Sequence, residues 1–353
     1  MKRFPRCANR LVPLFALGLL ASSALAQPVV TRVMSGLDNP RGLAFGPEGA
    51  LYVAEAGRGG PGPCWTNPVN SEVRCYGPTG AITRLWRGVQ ERIATGLPSL
   101  AQPGGITASG PNDIAFQGRG GAYVTIGLGG DEATRTALGP AGHFFGTLIH
   151  MSASGQWRTV ADLLAHEESQ NPAGGPVDSN AYGVLAAAGE RIVTDAGGNS
   201  LLRVDANGAI STVAVFPSRP ARATDSVPTS VAIGPDSAYY VGELTGVPFA
   251  AGAANVYRVV PGAAPAVFQS GFKTIMDIAF GPDGSLYVVE HASGAFFSGP
   301  GRLLRIAPDG TRTTIVAALN RPTSVAVGPD GTLYVTNNGV TPGDGEVLKI
   351  ELQ

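Results

Sequence analysis

The sequence predicts an all-β protein, a six-bladed β-propeller of four-stranded antiparallel blades with an N-terminal strand closing the last blade. Three observations predict it. A strand motif returns six times in constant register, as where DIAFGPDGSLYVVE (277–290) is echoed by SVAVGPDGTLYVTN (324–337). A Pro- and Gly-rich turn divides each copy, and the last copy lacks a final strand that the segment before the first copy can supply. Fifty glycines, 28 prolines and only 14% charged residues suit short strands joined by many turns.

In chain order, the first 26 residues carry Lys2, Arg3, Arg6 and Arg10, then an apolar run from Leu11 to Leu20 and the small-residue ending Ala24-Leu25-Ala26. This pattern predicts a secretory signal cleaved after Ala26 and a secreted or periplasmic product. The run is too short and wrongly flanked for a membrane span, none is expected later, and Gln27 at the cut argues against lipid anchoring. Without those four cations, 21 Lys plus Arg face 26 acids, so the mature chain is mildly acidic and lacks the basic footprint of nucleic-acid binding. Residues 27–353 are expected to form one domain, a monomer. Cys7 leaves with the signal. Cys64 and Cys75 then remain in an oxidising compartment, where a disulfide closing a small loop is expected; two thiolates alone leave a zinc tetrahedron half empty.

The six second strands are LYVAE (51–55), AYVTI (122–126), RIVTD (191–195), YYVGE (239–243), LYVVE (286–290) and LYVTN (333–337). Ten residues before the second letter of each stand Gly42, Asp113, Tyr182, Ser230, Asp277 and Ser324. Turns such as Gly281-Pro282-Asp283-Gly284 join the first two strands: Pro presets φ, Asp bonds its own backbone, and the final Gly takes the left-handed conformation. A third strand follows with a basic penultimate residue (Arg84, His150, Arg203, Arg258, Arg305, Lys349), then commonly a turn and a fourth strand. The chain stops after Lys349–Gln353, one strand short. The segment Thr31–Leu37, which precedes Asn39-Pro40 as Thr313–Leu319 precedes Arg321-Pro322, is expected to complete the ring and remove two sheet edges.

Surplus length in the first two repeats falls at 56–80, 127–146 and near 166–178. Loops after second strands and before first strands share one face, and long loops on a rigid scaffold usually carry function. The candidate ligand-binding residues on that face are Asn112, Asp113, Asn180, Tyr182 and Asp277 at strand starts, with Glu55, Asp195, Glu243 and Glu290 at strand ends, joined by Asn337. Such a ring could surround a hard divalent cation or hydrogen-bond a sugar or lactone; each carboxylate could equally cap a backbone amide or pair with a basic neighbour. His291, next to Glu290, is the histidine with a claim on a site. Trp65 is expected to serve the small core of its own loop. Gly57–Gly62 matches a dinucleotide-loop spelling, but prolines rather than a helix follow it, and no hydrolase elbow, zinc-protease pair or phosphate loop occurs.

The stretches NPRGLAFGPEGALYVAEAGRGGPGPC, GPNDIAFQGRGGAYVTIGLGG, DSNAYGV, TDAGGNSLLRVDANG and VPTSVAIGPDSAYYVGELTGVPF resemble the ScyD/ScyE family, secreted propeller proteins named from scytonemin pigment gene clusters. The likeness implies an exported propeller and carries no reaction. The blade motif is also similar to NHL-repeat and lactonase-type six-bladed propellers. Those lactonases hold a channel cation on acids and amides, which by position implies Glu55, Asn180, Asp195 and Asp277. The reading is therefore a non-catalytic module, needing no cofactor, that binds a small molecule, glycan or protein on the loop-rich face. The alternative is a divalent-cation-dependent lactonase or related hydrolase with its site at the central channel.

Overall fold

The computed structural model describes Met1 and residues 27–68, 70–119, 121–216 and 224–352. Apart from Met1, the expected export signal lies outside them, and no helix among the described residues is long and apolar enough to cross a membrane. These residues form six antiparallel sheets whose first strands contact one another in a closed cycle, the sixth returning to the first.

Blade one comprises Pro40–Phe45, Leu51–Glu55, Val73–Trp86 and Val89–Ala101, with the short Cys64–Thr66 added to its third strand. Blades two to five follow in the same order, starting at Pro111–Phe116, Ala181–Ala187, Pro228–Ile233 and Ile275–Phe280. Blade six holds Ser324–Val327, Leu333–Asn337 and Pro342–Glu351, and its outer strand is Val29–Asp38, paired from Val29 opposite Glu351 to Asp38 opposite Pro342. The segment Val29–Asp38 thus closes the ring as the sequence predicts. Unclosed, the two ends would leave unpaired strand edges.

The hairpin turns form for the stated reason. Gly281 N–H donates to Ser285 O at 2.8 Å and Gly284 sits at φ +78°; Gly328 donates to Thr332 O at 2.7 Å with Gly331 at φ +81°. At this turn end the recurring basic residue lies opposite the second-strand Tyr, as in Tyr240–Arg258 and Tyr287–Arg305, and pairs with the turn acid: Arg258 with Asp236 at 2.6 Å, Arg305 with Asp283 at 2.8 Å. These cations therefore fasten the face away from the long loops and are unavailable to the strand-end carboxylates.

Apolar cores fill the six clefts between neighbouring blades. Val53, Leu51 and Leu43 of blade one meet Met34, Leu37 and Val347 of blade six; Val288 and Leu286 of blade five meet Val256 and Phe272 of blade four. Each sheet is buried on both faces, which is why the inner strands read as apolar runs rather than alternating.

Nearer the axis, side chains join one first strand to the next. Asn112 Nδ2 donates to Ala181 O at 2.9 Å, Asp113 Oδ2 accepts from Val184 N at 2.8 Å, Thr229 Oγ1 donates to Ile275 O at 2.8 Å, and Thr323 Oγ1 to Pro40 O at 2.8 Å. Asp277 Oδ2 accepts from Val325 N at 3.0 Å and from Ser324 Oγ, which accepts in turn from Leu43 N at 3.0 Å.

One expectation is corrected. Constant spacing put Tyr182 level with Asp113, but Val184 pairs with Val193 where Ile114 pairs with Val124, so Gly183 is the residue level with Asp113. The blade-three hairpin is one residue shorter, and Tyr182 stands level with Asn112. The surplus loops also take part in packing. Residues 132–137 form a helix capped by Asp131, and its buried Arg135 donates to Phe145 O at 3.0 Å and to Asp162 at 2.6 Å, while Leu138, Phe145 and Leu164 extend the core between blades one and two. Trp65 packs against the same core, and Cys64 and Cys75 are disulfide-bonded.

Candidate functional site

The strand-end acids reach the loop face but turn back into their blades. Glu55 accepts from Asp38 N at 2.6 Å, from Thr83 and from Arg92 at 2.7 Å. Glu243 accepts from Ser226 Oγ at 2.7 Å and Asn255 N at 2.8 Å; Glu290 from Lys273 N at 2.9 Å and from Arg302. Asn337 Oδ1 accepts from Asn320 N at 2.8 Å. In each of these four blades one donor lies 17 residues upstream, where the chain leaves the preceding fourth strand. Asp195 does the same work with Ser179 Oγ at 2.6 Å and Asn180 N at 2.7 Å. All four acids are fully buried. They are clasps between successive blades, each with its oxygens occupied.

On the axis, Asp113 and Asp277 face one another in a constriction shared with Gly42, Tyr182, Met276 and Ser324 that leaves about 10 Å³, barely room for one water. Gly42 is required here, because a Cβ would stand 2.0 Å from Asp113 Oδ1. Burial, with the Asp277 charge as a second cause, pushes the Asp113 carboxyl well above its ordinary range; burial raises Asp277 to about 6. Each of their four oxygens already accepts a backbone N–H.

That occupancy, together with where the groups stand, bears on the cation question. A calcium site needs six to eight oxygen ligands converging on one point. Among the described residues no group of three or more His, Cys, Asp or Glu is placed to hold a metal. The set implied by position, Glu55, Asn180, Asp195 and Asp277, does not converge, since two of its carboxylates are committed to clasps and the third to the constriction.

Above the constriction the axis opens into a cavity of about 500 Å³ on the loop face. Its floor takes the second residue of the first strands, Arg41, Asn112, Tyr182 and Met276; the pairing register breaks beside these positions, at Pro40/Leu43, Pro111/Asp113, Ala181/Val184 and Ile275/Asp277. Such breaks re-aim side chains and are common beside sites. Asn180 and Arg74 add polar groups to the wall, and Leu244, Phe249, His291 and Phe297 line the side of blades four and five. Phe249 and Phe297 stack with centroids 4.1 Å apart, and His291 meets Phe297 edge-on at 5.1 Å.

Three features set this cavity's electrostatics. Arg41 is 8% exposed; its guanidinium donates to the carbonyls of Gly339 and, at 2.8 Å, Ala108, yet makes no ion pair among the described residues. Burial lowers its pKa. Tyr182 is pushed up to about 12 by burial, Arg41 opposing and the two aspartates adding to the rise. Burial holds His291 down at about 3, so the ring is neutral; Nδ1 donates to Pro322 O at 3.0 Å, which leaves Nε2 as an acceptor. The backbone around the cavity is strained: Val227, Phe249 and Phe297 sit at φ +55°, +57° and +54°, costly for such side chains and typical of functional sites.

Of the sequence candidates, then, the structure brings Asn112, Asn180 and Tyr182 together at the cavity, places Asp113 and Asp277 beneath its floor, and sets Glu55, Asp195, Glu243 and Glu290 apart in the blades. Arg41, Arg74, Phe249 and Phe297 were missed. Arg41 carried a signal, being the one charged residue at its repeat position, where the other blades have Asn112, Tyr182, Thr229, Met276 and Thr323. A groove of similar volume, about 510 Å³, opens between blades one and two at the turn end, but its Glu48, Tyr52 and Arg84 are already tied into the hairpin pairing.

No protein-family model matches the chain, and no curated protein does. Solved structures do share the fold. A gluconolactonase of Xanthomonas campestris superposes with TM-score 0.59 at 11% identity, over 96% of this chain and 94% of that one. Virginiamycin B lyase from Staphylococcus aureus gives 0.52 at 15%, over 93% and 100%, and a glucose dehydrogenase gives 0.56 at 16%, over 92% and 100%. At such identities the likeness speaks for the six-bladed propeller alone.

Proposed function

We propose that the protein is an exported, non-catalytic propeller that binds a small organic molecule in the loop-face cavity. The observation that carries this reading is the convergence, in one concave space, of polar and aromatic side chains from blades one to five above a constricted axis. A volume of about 500 Å³ suits a molecule of one or two rings better than a protein loop or an extended glycan. Export rests on the character of residues 1–26 and accords with a disulfide. The hydrolase alternative draws on the names of two fold neighbours, a lactonase and a lyase; the channel's carboxylates, each already accepting backbone N–H groups, do not favour it.

Saturation-transfer NMR with 2-naphthamide, catechol, N-acetylglucosamine and D-glucono-δ-lactone tests the reading. At least one probe should receive magnetisation, and Leu244→Trp, which fills the cavity, should abolish the transfer. Transfer to none, or transfer indifferent to Leu244→Trp, would contradict it. Lactone hydrolysis that requires added calcium and stops on chelation would establish the alternative instead.

A further inference from the structure

We infer that the ligand of this cavity is a small organic anion whose negative group is joined to a planar ring, an aromatic carboxylate in the simplest case. The inference rests on the cavity reading above and adds the ligand's chemical class. It begins with Arg41. A guanidinium enclosed by protein is a group that native structures pair, because a buried charge without a counter-charge is held at a cost. Here the two bonds go to main-chain carbonyls of Ala108 and Gly339, which orient the group without neutralising it. Asp113 and Asp277 sit one layer lower, each bonded within the ring of first strands.

The surroundings decide the rest of the ligand. Arg74, in the same wall, is tied to Glu72 and donates to Ser109 Oγ at 3.2 Å, so the wall has a second cation near the first. Asp225, on the exposed rim, is the carboxylate that lines the cavity with them. A carboxylate matches the fork of a guanidinium, and the amide nitrogen of Asn180, whose Oδ1 faces Asn112 Nδ2, is a further donor at this level. Across the cavity the lining is Phe249, Phe297, Met276 and Leu244, an apolar and aromatic surface suited to a flat ring. Phe296 N–H donates to Pro248 O at 3.0 Å, so the two loops bearing the phenylalanines are fastened together and present one wall. An inorganic anion would leave that wall unused, and a neutral aromatic would leave Arg41 uncompensated.

Calorimetric titration of the purified protein with 2-naphthoate, its neutral isostere 2-naphthamide and the non-aromatic cyclohexanecarboxylate tests the proposal. Naphthoate should bind at least about tenfold more tightly than either comparator. Arg41→Met should erase its advantage over the amide, and Phe297→Leu its advantage over the cyclohexane acid. Because Arg41 also braces two loops, Arg74→Gln is the second variant, expected to narrow the naphthoate preference while the protein melts as the wild type does. Should Arg41→Met not fold, the wild-type ranking and Arg74→Gln decide. Naphthamide equal to naphthoate would overturn the anion inference and leave the cavity reading intact. No binding of naphthoate, with neutral probes still responding to Leu244→Trp in the NMR test, would do the same. No binding of any probe in either experiment would remove both.

Discussion

Glu290 and Asn180 both stand at the loop end of inner strands, and their sequence contexts do not say which one meets a ligand. Glu290 holds Lys273 N and Arg302; Glu290→Ala would leave a partly exposed cation and a backbone donor without their acceptor, a loss of about 2 kcal/mol. Denaturant titration should show that loss while the affinity for a cavity ligand stays as in the wild type. Conversely, Asn180→Ala should weaken the ligand more than the fold, although its backbone N–H keeps its bond to Asp195. Val227 offers a third case. It precedes Pro228 at φ +55°, as Asn39 precedes Pro40 at +49° and Arg321 precedes Pro322 at +48°. Val227→Asn should raise stability by about 1 kcal/mol, since Asn tolerates the left-handed region far better than a β-branched residue.

At the scale of the element, what the sequence declares and what it hides divide cleanly. Gly281-Pro282-Asp283-Gly284 dictates its turn through local chemistry, and the Thr31–Leu37 match to Thr313–Leu319 exposes the closing strand, because both signals lie within a few adjacent residues. The clasps lie 17 residues apart, and Arg41 meets Phe297 only through the ring, so no local pattern announces either. The hairpin of blade three, one residue short, hid the equivalence of Gly183 and Asp113 from an argument built on equal spacing. The surplus at 127–146, part of which folds as the packed helix 132–137, illustrates a further limit: extra length marks a departure from the repeat without saying whether it serves packing or a site. The disulfide element permits a direct check. Cys64→Ser with Cys75→Ser should cost up to about 3 kcal/mol by the loop-closure argument, and should loosen Arg74, which neighbours Cys75. Melting curves of the double variant, compared with the reduced wild type, measure it.

Across the whole molecule, several buried carboxyls are held above their ordinary range. Burial, with the Asp195 charge adding, raises Glu167 to about 7 and Asp178 to about 7, and burial raises Asp277 to about 6. The sign follows from linkage: the unfolded chain releases these protons near pH 4, the folded chain only above about 6 to 7, so the folded form binds more protons between and gains stability as pH falls through that window. His291 acts the other way, remaining neutral when folded down to about 3 while its unfolded form takes a proton near 6.5. Two histidines, His291 and His166, oppose five raised carboxyls, since burial raises Asp113 and Asp195 as well; this leaves a net gain, so the melting temperature at pH 5.5 should exceed that at pH 8. Glu167→Gln with Asp178→Asn should flatten the difference. Ring closure is a property of this scale as well: removing residues 27–38 strips blade six of its outer strand and, with Met34 and Leu37, takes away the apolar cover of Val347 and Leu43, and the shortened protein should fail the cooperative melt of the intact one.

The most direct measurement is the electron density of a crystal soaked with 2-naphthoate. The carboxylate should lie against Arg41 with the rings along Phe297 and Met276, above an undisturbed Asp113–Asp277 constriction. Density at the turn-end groove beside Tyr52 and Phe116, or a carboxylate far from Arg41, would contradict the account.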